Sequence, residues 1–189
     1  MPRDAESLLT GFHKASPPLE LFQKLLASGA KVKDSLRTGV TFGLTSAVIT
    51  TLGLMFGLSS GTNSRLVVLA GILTIAIADS FSDALGIHLS EEAENAHTPK
   101  QIWVATFATF LTKLVFAMTF VVPVILFSLP VAIAVSLVWG LFILTVLSYV
   151  IAKAQGEAPW KIITEHLAIA IVVILATNWV GVWIGTLAE

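Results

Sequence analysis

The sequence predicts an all-α, polytopic membrane protein with five transmembrane helices and an amphipathic N-terminal segment. Hydrophobic residues make up 56% of the 189 positions and charged residues only 12%, whereas soluble domains carry roughly 25% charged residues. The apolar residues also gather into stretches of about 20, the length that a helix needs to cross a bilayer. A soluble fold could not cover so much apolar surface, so we expect the lipid bilayer to be the solvent.

Five stretches have the length and composition of spanning helices. They cover residues 39–58, 66–88, 102–127, 130–152 and 162–187. Residues 102–152 are almost continuously apolar, and one helix of that length would far exceed the bilayer. Proline suits the first turn of a helix, so the break between the third and fourth spans is predicted at Ser128-Leu129-Pro130.

Residues 1–37 differ from the transmembrane domain that is predicted over 38–189. Leucine and phenylalanine alternate there with lysine, and Pro17-Pro18 divides the segment in two. The second piece has the pattern of an amphipathic helix on the membrane surface; the alternative is a solvated tail. No signal-peptide run precedes it, so we expect the first span to direct insertion.

The basic residues predict the orientation. If the N-terminus is cytoplasmic, only Arg65 falls outside and Lys113 falls within a span, while nine others lie on the cytoplasmic side: Arg3, Lys14, Lys24, Lys31, Lys33, Arg37, Lys100, Lys153 and Lys161. Cytoplasmic loops carry an excess of Lys and Arg. We therefore expect a multi-pass protein with an extracytoplasmic C-terminus.

Several function classes are excluded by what the sequence lacks. It has no cysteine, which excludes disulfides and thiol chemistry. It carries none of the common hydrolase, metalloprotease or phosphate-loop motifs, and its few basic residues form no nucleic-acid footprint. We expect neither an enzyme, nor a nucleic-acid partner, nor a permanently bound cofactor.

The second span carries the informative polar residues. Asp79 and Asp83 are four positions apart, so they share one face of a helix, and Ser82 adds a hydroxyl group. Four further candidate ligands follow at the predicted cytoplasmic mouth: His88, Glu91, Glu92 and Glu94. Carboxylates with an imidazole suit hard to borderline divalent cations such as Fe²⁺, Mn²⁺ or Mg²⁺. The same carboxyl groups are candidate proton carriers, since burial favours their neutral form.

A salt bridge is the alternative role for these aspartates. Lys113 lies in the third span at about the depth of Asp79, so we expect it to pair with Asp79 or Asp83 and to leave the other carboxylate free.

In the first span, Thr45 and Ser46 are candidates for lining a path, although such hydroxyl groups often bond to the carbonyl four residues earlier. Small residues at Gly39, Gly43, Ala47, Gly53 and Gly57 predict close helix packing, within the chain or between two copies.

Two segments resemble the vacuolar iron transporter family. They are GLTSAVITTLGLMFGL in the first span and LAGILTIAIADSFSDALGIHLSEEAE in the second, and Pro123 in FVVPVILF is similar to that family's proline in the third span. The resemblance covers roughly residues 38–187. It implies five transmembrane helices, a homodimer, and exchange of divalent iron or manganese for protons along a path lined by the first two helices. It also implies a location in the cell membrane of a prokaryote or a vacuolar-type membrane of a eukaryote.

The chain departs from the family pattern at positions that bear on the ligands. Ser46 stands where the family has an aspartate, Asp83 where it has a methionine, and Ile87 where it has an acidic residue. The family's cytoplasmic metal-binding domain is reduced to about a dozen residues that contain Glu91, Glu92, Glu94 and His97. We therefore expect a proton-coupled transporter that moves Fe²⁺ or Mn²⁺ out of the cytoplasm; a non-transporting membrane subunit or scaffold is the alternative.

Overall fold

The computed structural model describes the backbone of residues 17–187 and the side chains of residues 29–187, and all its regular elements are helices. They are α1 (Pro17–Thr62), α2 (Arg65–Ala93), α3 (Pro99–Thr119), α4 (Val121–Leu126), α5 (Leu129–Gln155) and α6 (Pro159–Leu187). Five segments within them are long and apolar enough to cross a membrane. The predicted all-α fold with five spans is therefore confirmed.

The ends of the spans follow local sequence signals. Pro130 lies in the first turn of α5, which begins directly after Ser128 as predicted. The third span consists of α3 and α4, separated at Phe120, because Pro123 has no N–H to donate to the carbonyl group four residues earlier. Gly156 ends α5 in the left-handed conformation, with φ of 73°, which glycine adopts without a Cβ penalty.

The first helix is longer than its predicted span. α1 begins at Pro17 and continues through residues 37 and 38 to Thr62, so its 46 residues measure about 69 Å at 1.5 Å per residue. The expected boundary at residue 38 is therefore not the end of a helix. Residues 1–16 lie outside the described part, and the surface location of the N-terminal segment stays a prediction.

α1 is the central helix of the bundle. Its first half packs on α3, where Gly39 lies against Ala105 and Gly43 against Thr109, and its second half packs on α6, where Gly61 lies against Gly181. The contacts on α3 advance in the same direction as those on α1, and on α6 the contacts of Gly57 with Thr177 and of Gly61 with Gly181 do so too. The first, third and fifth spans are therefore parallel. The small residues predicted to allow close packing thus do so within the chain.

Apolar side chains form both the buried core of the bundle and its outer surface. A buried cluster joins α1 to α2, α4 and α5 through Leu52, Met55, Ile72, Val124 and Leu144. Elsewhere many large apolar side chains remain exposed on the outside of the helices, as expected of a surface that faces lipid. At the end opposite Lys100 and Lys161, Arg65 donates hydrogen bonds to the carbonyl oxygens of Val124 and Ile125 at the end of α4.

Candidate functional site

A lysine is buried among three helices. Lys113 of α3 is 1% exposed, and its ammonium group lies 2.5 Å from Asp79 Oδ2. It also donates hydrogen bonds to Asp83 Oδ2 and, over 2.7 Å, to Ser46 Oγ. An ammonium group has three N–H donors. Two carboxylates of α2 and one hydroxyl group of α1 therefore surround the charge, and we call these four residues the Lys113 cluster.

The helix geometry explains why one lysine reaches both aspartates. Asp79 and Asp83 are one turn apart on α2, so they present their carboxylates on the same face. The expectation that Lys113 would pair with one and leave the other free was wrong, since both carboxylates contact the same nitrogen. A long, flexible side chain at the depth between two adjacent turns can meet both.

A glycine on α1 brings Ser46 into the cluster. A Cβ atom at Gly43 would lie 2.7 Å from the carbonyl oxygen of Thr109 and 3.3 Å from the backbone nitrogen of Lys113. The absence of a side chain there lets the backbones of α1 and α3 meet, as small residues do in membrane helix pairs. Ser46 follows three positions later on the same face and reaches the ammonium group.

The charges of the Lys113 cluster do not cancel. Two carboxylates face one ammonium group, and between residues 40 and 87 and between 102 and 148 the chain carries only one further charged residue, Arg65. The side chains of Asp79 and Asp83 are 26% and 19% exposed. Asp79 Oδ2 is buried and makes an ionic contact without an aligned hydrogen bond. With all three groups ionised, the cluster retains one negative charge that attracts a further cation or a proton.

The other hydroxyl groups predicted to line a path lie elsewhere. Thr45 donates its hydroxyl hydrogen to the carbonyl oxygen of Thr41 over 2.9 Å, which is the local bond expected of a helical threonine. Ser82 is exposed on α2. Of the hydroxyl groups proposed from the sequence, Ser46 alone contacts the lysine.

The residues predicted at the mouth separate into two groups. His88 forms a 3.0 Å hydrogen bond through Nδ1 with Thr106 Oγ1 of α3 and packs edge-on against Trp103. Glu91 and Glu94 instead approach His97, whose Nε2 lies 3.5 Å from one carboxylate oxygen of each. His88 and Glu91 are three positions apart and lie near the same face of α2, so the helical period does not separate them; His88 meets α3, whereas Glu91 meets His97 in the turn that follows α2.

At the end of α2, Glu91 and Glu94 contact His97, a histidine that was not among the predicted ligands. Glu91 is buried apart from 9% of its surface, whereas Glu92 and Glu94 are exposed. Glu94 and His97 are three positions apart across the turn, a spacing that offered a signal for their contact. Within residues 29–187, no group of three or more His, Asp or Glu side chains is arranged to hold a metal ion.

Two further polar pairs join the spans outside these sites. Ser148 of α5 forms a 2.8 Å hydrogen bond with Nδ1 of His166 of α6, and Ser60 of α1 donates to the amide oxygen of Asn178. Both occupy helix–helix contacts, where such bonds stabilise packing.

Comparison with known protein families and with curated proteins finds no match for this chain.

Proposed function

We propose that this chain is a transporter of divalent metal cations, of the iron or manganese class, that moves them out of the cytoplasm in exchange for protons. The observation that supports this proposal is the Lys113 cluster, in which two carboxylates and a hydroxyl group converge on one positive charge inside a membrane-spanning bundle. Oxygen ligands of this kind suit hard and borderline divalent cations. The excess negative charge favours a cation of higher charge than an ammonium group.

The transported cation would compete with Lys113 for Asp79 and Asp83. A divalent cation neutralises both carboxylates without help from the lysine, whereas the ammonium group leaves one negative charge. When the metal enters, Lys113 either moves away or gives up its proton, because two cations so close together repel each other. If that proton leaves to the side from which the metal enters, and a proton from the opposite side replaces it after the metal has left, metal and protons move in opposite directions.

The acidic end of α2 is the proposed collecting surface for cations. Glu92 and Glu94 are exposed there, on the side that the distribution of basic residues predicts to be cytoplasmic. The homodimer, the cytoplasmic N-terminus and the placement in a cell or vacuolar-type membrane follow from the family resemblance and from this charge distribution, and they belong to the same proposal. The metal ion is substrate rather than a resident cofactor.

Uptake by reconstituted protein tests the proposal. Proteoliposomes that hold the full chain are supplied with Fe²⁺, Mn²⁺, Co²⁺ or Zn²⁺ while the internal pH is recorded. We expect metal flux with an opposing proton flux, and we expect Asp83→Asn to abolish both because one of two ligands is lost. Glu157→Gln, at an exposed position between α5 and α6, is the matched control. Wild-type flux in correctly folded Asp83→Asn would contradict the assignment.

A non-transporting membrane subunit is the second candidate. The observation that favours it is that Lys113 already contacts Asp79, Asp83 and Ser46, as in a cluster that only joins α1, α2 and α3. This candidate predicts no flux of any of the four metals and no change of internal pH. Flux that depends on Asp83 excludes it.

A further inference from the structure

A second feature lies on the outer surface between α1 and α3, away from the buried lysine. It is a groove of about 390 Å³ whose walls are apolar apart from Lys100 at one end. Leu36 is its contribution from α1 and Trp103, Phe107 and Leu111 are the large side chains from α3. Each of these four is between 47% and 57% exposed. The groove therefore opens to the hydrocarbon region of the bilayer.

The register of the two helices adds a second lysine at the end of this groove. Facing residues of α1 and α3 are 66 or 67 positions apart, in the pairs Gly39 with Ala105, Gly43 with Thr109 and Ser46 with Lys113. The same offset places Lys33 level with Lys100. Lys33 also lies one turn before Leu36, on the same face of α1, and both lysines are exposed.

We propose that this groove binds one anionic phospholipid from the leaflet on the Lys100 side. Its acyl chain lies along Trp103 and Phe107, and its phosphate group lies between Lys33 and Lys100. Basic pockets between transmembrane helices bind acidic headgroups, and each basic residue near the surface contributes about 1 kcal/mol. Trp103 lies one helical turn after Lys100, at the depth of the interface between headgroups and acyl chains, where tryptophan is enriched.

Charge selects this occupant over the alternatives. Asp34 follows Lys33 but is turned by about 100° around α1, so it does not share the face of Leu36. A second copy docked through the same groove would bring its own lysines towards these two, and like charges repel. A zwitterionic lipid would carry a compensating positive group into a site that already holds two.

Native mass spectrometry of the purified full chain tests the proposal. The probes are phosphatidylglycerol and phosphatidylcholine with identical acyl chains, added in equal amounts to delipidated protein. We expect one phosphatidylglycerol to be retained preferentially. We expect Lys33→Gln and Lys100→Gln each to weaken its binding about fivefold, since 1 kcal/mol corresponds to that factor, with the double variant losing most of the preference.

The matched control removes two lysines from the same end of the bundle. Lys153 and Lys161 are exposed on α5 and α6 and do not line the groove. Lys153→Gln/Lys161→Gln should therefore keep the preference, and Lys33→Arg/Lys100→Arg should keep it as a check that the site tolerates substitution. Equal retention of the two lipids, an equal loss in the control variant, or a dimer that only the Lys33 and Lys100 variants disrupt would overturn the proposal.

Discussion

Replacing Lys113 with methionine should destabilise the protein severely. Methionine is similar to lysine in length but has no charge, so Asp79 and Asp83 lose the positive charge that they share. At 2.5 Å and an effective dielectric constant of about 20, the attraction between Lys113 and Asp79 is about 7 kcal/mol before the cost of desolvation. Removing one partner of a buried ion pair costs about 3–5 kcal/mol in practice. The variant also leaves two carboxylates, one helical turn apart, without a counter-charge.

The assay is unfolding of detergent-solubilised protein, followed by the loss of helical circular dichroism. A destabilisation of 3–5 kcal/mol corresponds to a midpoint lower by about 6–20 °C for a chain of this size. The control is Asp79→Asn/Asp83→Asn/Lys113→Met, which removes all three charges and should recover most of the loss, because an apolar or neutral replacement of a whole buried ion pair is often tolerated. A Lys113→Met variant destabilised by less than about 1 kcal/mol, or a triple variant as unstable as the single one, would refute this reasoning.

The remaining predictions concern the cation site and the helix contacts. Mn²⁺ at a concentration 100 times its Kd should raise the free energy of unfolding of Lys113→Met by about 2.7 kcal/mol, and so raise its unfolding midpoint. The effect on the wild-type chain should be much smaller, because the ammonium group competes for the same carboxylates. An equal effect on both would count against the site. Gly43→Ala should cost about 1–3 kcal/mol because a Cβ atom meets the backbone of α3, whereas Gly86→Ala, with no atom within 4 Å of the new Cβ, should be neutral or stabilising; similar midpoints for the two variants would contradict this packing. Asn178→Leu should cost about 0.6 kcal/mol through the lost bond to Ser60, and a cost above about 2 kcal/mol would mean that the residue does more than join two helices.

The sequence by itself determined the class of protein and its five spans. The length and apolar character of each span decide this, because a bilayer accepts only segments whose backbone groups are satisfied within the helix. A local signal also located the break at Ser128, since proline acts on its immediate neighbours. Likewise, Asp79 and Asp83 had to share a face of α2, because the helical period alone fixes that relation.

Only the tertiary structure decided what those faces meet. Lys113 was expected to hold one aspartate, and it holds both, because the answer depends on the depth and rotation of α3 relative to α2. Ser46 joined the cluster and Thr45 did not, although they are neighbours in the chain, since the close approach of α1 to α3 at Gly43 directs only one of them at the lysine. His88 and Glu91 likewise contact different partners, because His88 meets α3 and Glu91 meets His97 beyond the end of α2. Spacing along a helix is a local property, whereas the partner across a helix contact depends on how separate segments pack, which no single segment encodes.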